Sequence, residues 1–246
     1  MVMGVDIDAG PPPCGETAVR ALDLCKQIDG RPVLRDVSID IPEGRFVAVL
    51  GANGAGKSTL LKVLATLVRP TSGELEIFGR RVRGDAGPLR ARIGLIGHQS
   101  MLYRELSARA NLVFFGRLYG VPQPAERAMH LLEMVGLSDR ADDAVKTFSR
   151  GMMQRAAIAR ALVHEPDLLL ADEPFAGLDP PSVLALEALL LALHEAGKTI
   201  ILAHHDVDQS LRMAQQAIVL RQGEVVVDRC TRLLDSTTAI REMVTA

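Results

Sequence analysis

Short apolar runs without charged residues recur along this chain. Phe46-Val47-Ala48-Val49-Leu50, Leu168-Leu169-Leu170-Ala171 and Thr199-Ile200-Ile201-Leu202-Ala203 read as strands, the first of them as a buried one. Shorter or alternating segments at 19–25, 33–41, 73–79, 92–97, 217–221 and 224–227 extend the strand pattern. Pro42-Glu43-Gly44 closes one strand in a turn, and Gln222-Gly223 suits a hairpin. Between about 101 and 162 the period changes. Apolar residues recur at three- and four-residue steps over 108–119, 125–135 and 150–163, with breaks at Gly120-Val121-Pro122 and Gly136-Leu137-Ser138. A further helix is expected over 182–196, started by Asp179 and two prolines. The pattern predicts one α/β domain with a helical insert at about 100–163. No internal repeat stands out.

Composition narrows this picture only a little. The 246 residues suffice for one large domain with a substantial core, and a net charge of −2 gives no support for nucleic-acid binding. Three cysteines, Cys14, Cys25 and Cys230, show no paired spacing and fit a reducing compartment. The longest apolar segment, 183–196, is too short to span a membrane and carries Glu187 and Glu195. Residues 1–18 read as a flexible tail, with Asp6, Asp8 and three prolines but no signal-peptide pattern. A cytoplasmic protein is expected.

Candidate chemistry begins at Gly51-Ala52-Asn53-Gly54-Ala55-Gly56-Lys57-Ser58-Thr59, between a strand and a helix. A glycine loop in that context points its N–H groups inward as an anion nest at a helix's positive end. Lys57 then reaches the outer phosphates of a nucleoside triphosphate, and Ser58 offers a hydroxyl to Mg²⁺. Asp172 and Glu173 end an apolar strand, where ligands collect in parallel sheets. Asp172 suits Mg²⁺; Glu173 suits a general base or a residue that holds water in line with a γ-phosphate. A ligand-free turn and a solvated acidic turn are the bland alternatives. Ser149 is a natural N-cap for the helix after it.

In this order the motifs resemble the nucleotide-binding subunit of an ATP-binding cassette (ABC) transporter. The glycine loop resembles the family's Walker A motif, Phe148-Ser149-Arg150-Gly151-Met152 its signature, and the strand ending in Asp172-Glu173-Pro174 its Walker B. Ala176-Gly177-Leu178-Asp179 resembles its D-loop. Gln99 falls at the Q-loop position and His205 at the switch histidine; His204 is taken as packing or surface. The resemblance implies a P-loop NTPase core with an antiparallel β subdomain and a helical insert. It implies ATP and Mg²⁺, with Ser58, Gln99 and Asp172 around the metal and Lys57, Glu173 and His205 at the chemistry. It implies a head-to-tail dimer, of two copies or with a paralogue, in which Ser149 and Gly151 face the partner's nucleotide, and it counts Asp179 among the nucleotide-binding residues. Ile28 takes the place where the family often stacks an aromatic residue on adenine, and Arg150 and Met152 depart from the signature. A domain at 19–235 and a C-terminal helical tail at 236–246 complete the layout. Contact with the membrane is expected only through permease subunits on the inner face of the cell membrane.

Gly97-His98-Gln99, the Leu102-Tyr103…Leu106-Ser107 pattern and Arg117-Leu118-Tyr119-Gly120 resemble a narrower group, the CcmA-type haem exporter ATPases of cytochrome c biogenesis. An ABC-2-type drug or ion exporter and a soluble non-transport ABC ATPase are the alternatives.

Overall fold

The computed structural model describes residues 16–83, 86–97, 99–233 and 237–245. The strands are β1 (Thr17–Ile28), β2 (Arg31–Pro42), β3 (Phe46–Leu50), β4 (Ser72–Ile77), β5 (Arg80–Arg81), β6 (Ile93–Ile96), β7 (Leu168–Asp172), β8 (Thr199–Ala203), β9 (Gln216–Arg221) and β10 (Glu224–Cys230). The helices are α1 (Lys57–Leu64), α2 (Gly87–Arg90), α3 (Ala108–Leu118), α4 (Pro124–Met134), α5 (Arg150–Ala161), α6 (Pro180–Glu195), α7 (Val207–Met213) and α8 (Thr237–Thr245).

Six strands form a sheet in the order β10-β9-β3-β8-β7-β6, parallel except for β10. Every residue of β3, β7 and β8 is buried, as expected for parallel strands covered on both faces. Side-chain alternation divides them between two cores. Phe46, Ala48, Leu50, Leu169, Ala171, Ile200 and Leu202 face the helices α3 to α7. Val47, Val49, Leu168, Leu170, Ile201 and Ala203 face α1 and a four-stranded antiparallel sheet in the order β2-β1-β4-β5. Each fully buried aliphatic side chain in these layers contributes roughly 1.5–3 kcal/mol.

The helical elements end where local chemistry dictates. Ser107, Ser149 and Asp206 cap α3, α5 and α7, accepting from Ala110, Met152 and Gln209 N–H groups. Arg155 on α5 donates to the Val135 and Gly136 carbonyls at the end of α4, at 3.1 Å each. Asn111 is fully buried on α3; it accepts from Tyr103 N–H and donates to the Tyr103 and Ser107 carbonyls, fixing the loop before the helix.

Several boundaries differ from the pattern reading. β1 begins at Thr17, inside the segment expected as a tail, and runs to Ile28 through register shifts that break its alternation. After the strand expected at 73–79 the chain continues as β5, which pairs Arg80 and Arg81 with β4, where Arg81 meets Glu74 and Glu76 at 3.0 Å each. Gly84, His98 and residues 1–15 lie outside the described residues. β10 extends past Val227 to Cys230. At the C-terminal end α8 docks through Ile240, which is buried in the helix-side core.

The β9–β10 hairpin turns through Gln222 (φ 50°) and Gly223 (φ 86°), both left-handed as a two-residue turn of this kind requires. Gly223 donates its N–H to Ala55 O in the glycine loop at 3.0 Å, and its carbonyl accepts from Arg35 at 2.9 Å. A Cβ here would lie 2.4 Å from Val33 O. Gly223→Ala should therefore cost about 2–3 kcal/mol through strain and clash. We expect a lower melting temperature and weaker ATP binding; a variant with wild-type values of both would contradict the brace.

Candidate nucleotide site

The glycine loop leaves the carboxyl end of β3 and enters α1 at Lys57. Gly51 has φ 150°, and a Cβ there would meet Leu220 O at 2.3 Å, so only glycine lets the loop lie against β9. The loop, Val33, Asp172 and Glu173 enclose a cleft of about 220 Å³, lined by Asn53, Gly54, Gly56, Lys57, Ser58 and Thr59. Ala55 is buried and turns its carbonyl to Gly223. Lys57 is buried on α1, and its ammonium donates to the Gly51 and Ala52 carbonyls at 2.6 and 3.1 Å. Burial holds its pKa below the ordinary lysine value, against the attraction of Glu173 and Asp172.

Because β8 lies between β3 and β7, the ends of these strands converge on the cleft. Ser58 Oγ donates to Asp172 Oδ1 at 3.0 Å. A hydroxyl and a carboxylate side by side at the phosphate loop are the hard oxygen donors that Mg²⁺ prefers. Glu173 follows β7 with its backbone in the left-handed region, φ 49°, and its N–H donates to Ala203 O at 2.8 Å. Two histidine rings meet its carboxylate: His204 Nδ1 at 2.6 Å and His205 Nδ1 at 2.8 Å from the same oxygen. Burial raises the Glu173 carboxyl pKa, but the hydrogen bonds and charge of His204 and His205 outweigh it and leave the group below its ordinary value.

The expectation of His204 as a packing or surface residue holds as to packing but leaves out its contact with Glu173. His204 is buried, stacked edge-on against Phe175, and touches the catalytic candidate as closely as His205 does. Val33 lines the cleft as well, and nothing in its sequence context marks it. The remaining candidates lie elsewhere. Ile28 is 45% exposed at the end of β1, and Gln99 is exposed beyond β6. Ser149 is exposed at the start of α5, next to Gly151, and Asp179 is exposed at the start of α6; none of these lines the cleft of its own chain. Arg150, at the unusual signature position, lays its side chain over Gly177 of the following loop, within 2.8 Å of where a Cβ would stand. Gln154 joins α5 to the acidic loop by donating to Pro174 O at 2.9 Å.

A glycine loop, a hydroxyl–carboxylate pair and a following glutamate at the strand ends define a P-loop ATPase of the cassette type. A family model described as ABC transporter matches residues 34–176, and the chain belongs to that family. It is the ATP-binding, ATP-hydrolysing subunit of an ABC transporter. The daunorubicin/doxorubicin resistance ATP-binding protein DrrA of Streptomyces peucetius is 36% identical over 89% of this chain and 67% of its own length. The taurine import ATP-binding protein TauB of Roseobacter denitrificans is 40% identical over 78% of this chain and 72% of its own length. The dimeric ATP-binding cassette MJ0796, in a post-hydrolysis state bound to ADP and Pi, superposes with a TM-score of 0.80 at 30% identity, covering 88% of this chain and 100% of that one. Among the described residues no helix is long and apolar enough to cross a membrane.

Proposed function

We propose that the chain hydrolyses ATP in a head-to-tail dimer and drives the permease of an ABC-2-type drug exporter. The observation that carries the chemistry is the meeting of Lys57, the Ser58–Asp172 pair and Glu173 in one cleft. The loop N–H groups and Lys57 hold the β- and γ-phosphates. Mg²⁺ held by Ser58 and Asp172, with Gln99 closing its shell, would supply charge neutralisation on those phosphates. Glu173 orients a water in line with the γ-phosphorus; as the water oxygen bonds to phosphorus, the bond to the β–γ bridging oxygen breaks and the carboxylate takes the proton. His205 contacts the γ-phosphate. Ser149 and Gly151 approach it from the partner chain at the start of α5, whose positive end favours an anion. The MJ0796 dimer supports this assembly.

Cargo belongs to the permease and not to the cassette. Resistance in the name of DrrA supports a drug exporter; import in the name of TauB shows that relatives of this cassette serve other directions. Haem export is the second reading, carried by the segment from Gly97 to Gly120, whose loop Asn111 holds in shape. Leu67, Met101 and Tyr119, each exposed, line one cavity beside that segment, and Tyr103 packs edge-on against exposed Phe114; such apolar surface suits the permease. Affinity capture of Glu173→Gln with ATP from detergent-solubilised membranes tests both readings. An ABC-2-type permease supports the first, cytochrome-maturation membrane subunits support the second, and recovery of no membrane protein opposes a transport role.

A further inference from the structure

We propose that His204, backed by Gln209 and Glu187, is a positioning residue that aims the Glu173 carboxylate and leaves His205 free to engage phosphate. The proposal rests on the reading of Glu173 as the residue that holds the attacking water. Both histidines bond the same carboxylate oxygen, but their surroundings differ sharply. The His205 side chain is 70% exposed and the His204 side chain only 4%. Fixing an exposed ring costs side-chain entropy, so His205 is the poorer anchor.

Behind His204 the hydrogen bonds continue. Its Nε2 lies 2.9 Å from Gln209 Oε1 on α7. The Gln209 amide donates in turn to Glu187 Oε1 on α6 at 2.7 Å. That second bond fixes which way the amide faces: its nitrogen points to Glu187, so its oxygen must face His204. Both ring nitrogens of His204 then face acceptor oxygens, Glu173 Oε2 on one side and Gln209 Oε1 on the other. Gln209 is itself fixed, because its backbone N–H donates to the Asp206 cap at 2.9 Å. Four side chains on α6, α7 and the ends of β8 and β7 thus form one line ending at the cleft. Glu173 needs such support, because a non-glycine residue at φ 49° is held by its surroundings and not by local preference.

The test is steady-state hydrolysis by the full chain, with ATP affinity measured separately by calorimetry. Gln209→Leu leaves the phosphate cleft intact and removes the acceptor behind His204. It should lower kcat about tenfold, the size of one hydrogen bond to a charged group, with KM and ATP affinity within about twofold of wild type. Gln209→Glu alone sets two carboxylates face to face and should also lose turnover. Adding Glu187→Gln to it exchanges amide and carboxylate, restores a donor–acceptor line to His204, and should recover most of kcat. An unchanged kcat in Gln209→Leu, a parallel loss of ATP affinity, or a folded double variant without recovery would each overturn the relay. Glu173→Gln serves as the reference: full turnover there would remove the catalytic reading of Glu173 itself, whereas loss there with wild-type Gln209→Leu removes only the relay.

Discussion

Glu173→Gln should bind ATP with near wild-type affinity and hydrolyse it about 10²–10³ times more slowly, the contribution expected of a general base. The substitution keeps shape and leaves Lys57, Ser58 and Asp172 in place, so phosphate binding survives. What is lost is the acceptor for the water's proton. The native carboxyl lies below its ordinary pKa because the two histidines outweigh burial, so it is ionised and ready at neutral pH. An amide cannot take the proton at any pH near neutral. With hydrolysis blocked, ATP should hold two chains together, visible as an ATP-dependent dimer by size-exclusion chromatography at micromolar protein. A variant that turns over normally would remove Glu173 from the chemistry. One that is inactive yet stays monomeric in ATP would remove the sandwich dimer.

Lys57→Met should weaken ATP binding roughly 30–100-fold, the equivalent of about 2–3 kcal/mol for a hydrogen-bonded charge. The fold should tolerate the change. Burial depresses the Lys57 pKa, which means the ammonium is held at a cost that only a bound anion offsets fully. Methionine is similar in length and removes that cost, while the Gly51 and Ala52 carbonyls lose a donor. The two effects oppose each other, so the melting temperature without nucleotide should stay within about 2–4 °C of wild type. Calorimetric titration with ATP and thermal denaturation check the two halves separately. Wild-type affinity would show that the loop amides alone bind the phosphates; a collapse in stability would make Lys57 a structural residue.

Much of this fold is legible in the chain because its central strands are unbroken apolar runs. Phe46–Leu50 and Thr199–Ala203 occur with the expected bounds, and Gln222-Gly223 makes the expected hairpin. Strand ends are harder to read where polar residues and bulges interrupt alternation, as at Asp23 and Lys26 in β1. Helix α2, with only four residues, is too short to show a period. The glycine loop and the Asp172–Glu173 pair are legible because each is contiguous and chemically specific. His204 is not. Adjacent residues on a strand point to opposite faces, so one of His204 and His205 is naturally assigned away from the site. The chain leaves β8 at Ala203, the alternation stops, and both rings reach Glu173. Val33 enters the cleft from a different sheet, a proximity that no local pattern encodes.

The brace between the last hairpin and the glycine loop bears on how the protein is made. Strand β3 emerges early, yet both its sheet neighbours, β8 and β9, lie far along the chain. Gly51 rests against Leu220, and Gly223 bonds Ala55. During translation the phosphate loop therefore has no finished wall until the β9–β10 hairpin has left the ribosome. Pairings this distant in sequence form slowly. A cassette that lacks the hairpin leaves the glycine loop without the Leu220 and Gly223 contacts, so a complete nucleotide cradle reports that the two most distant parts of this sheet have come together.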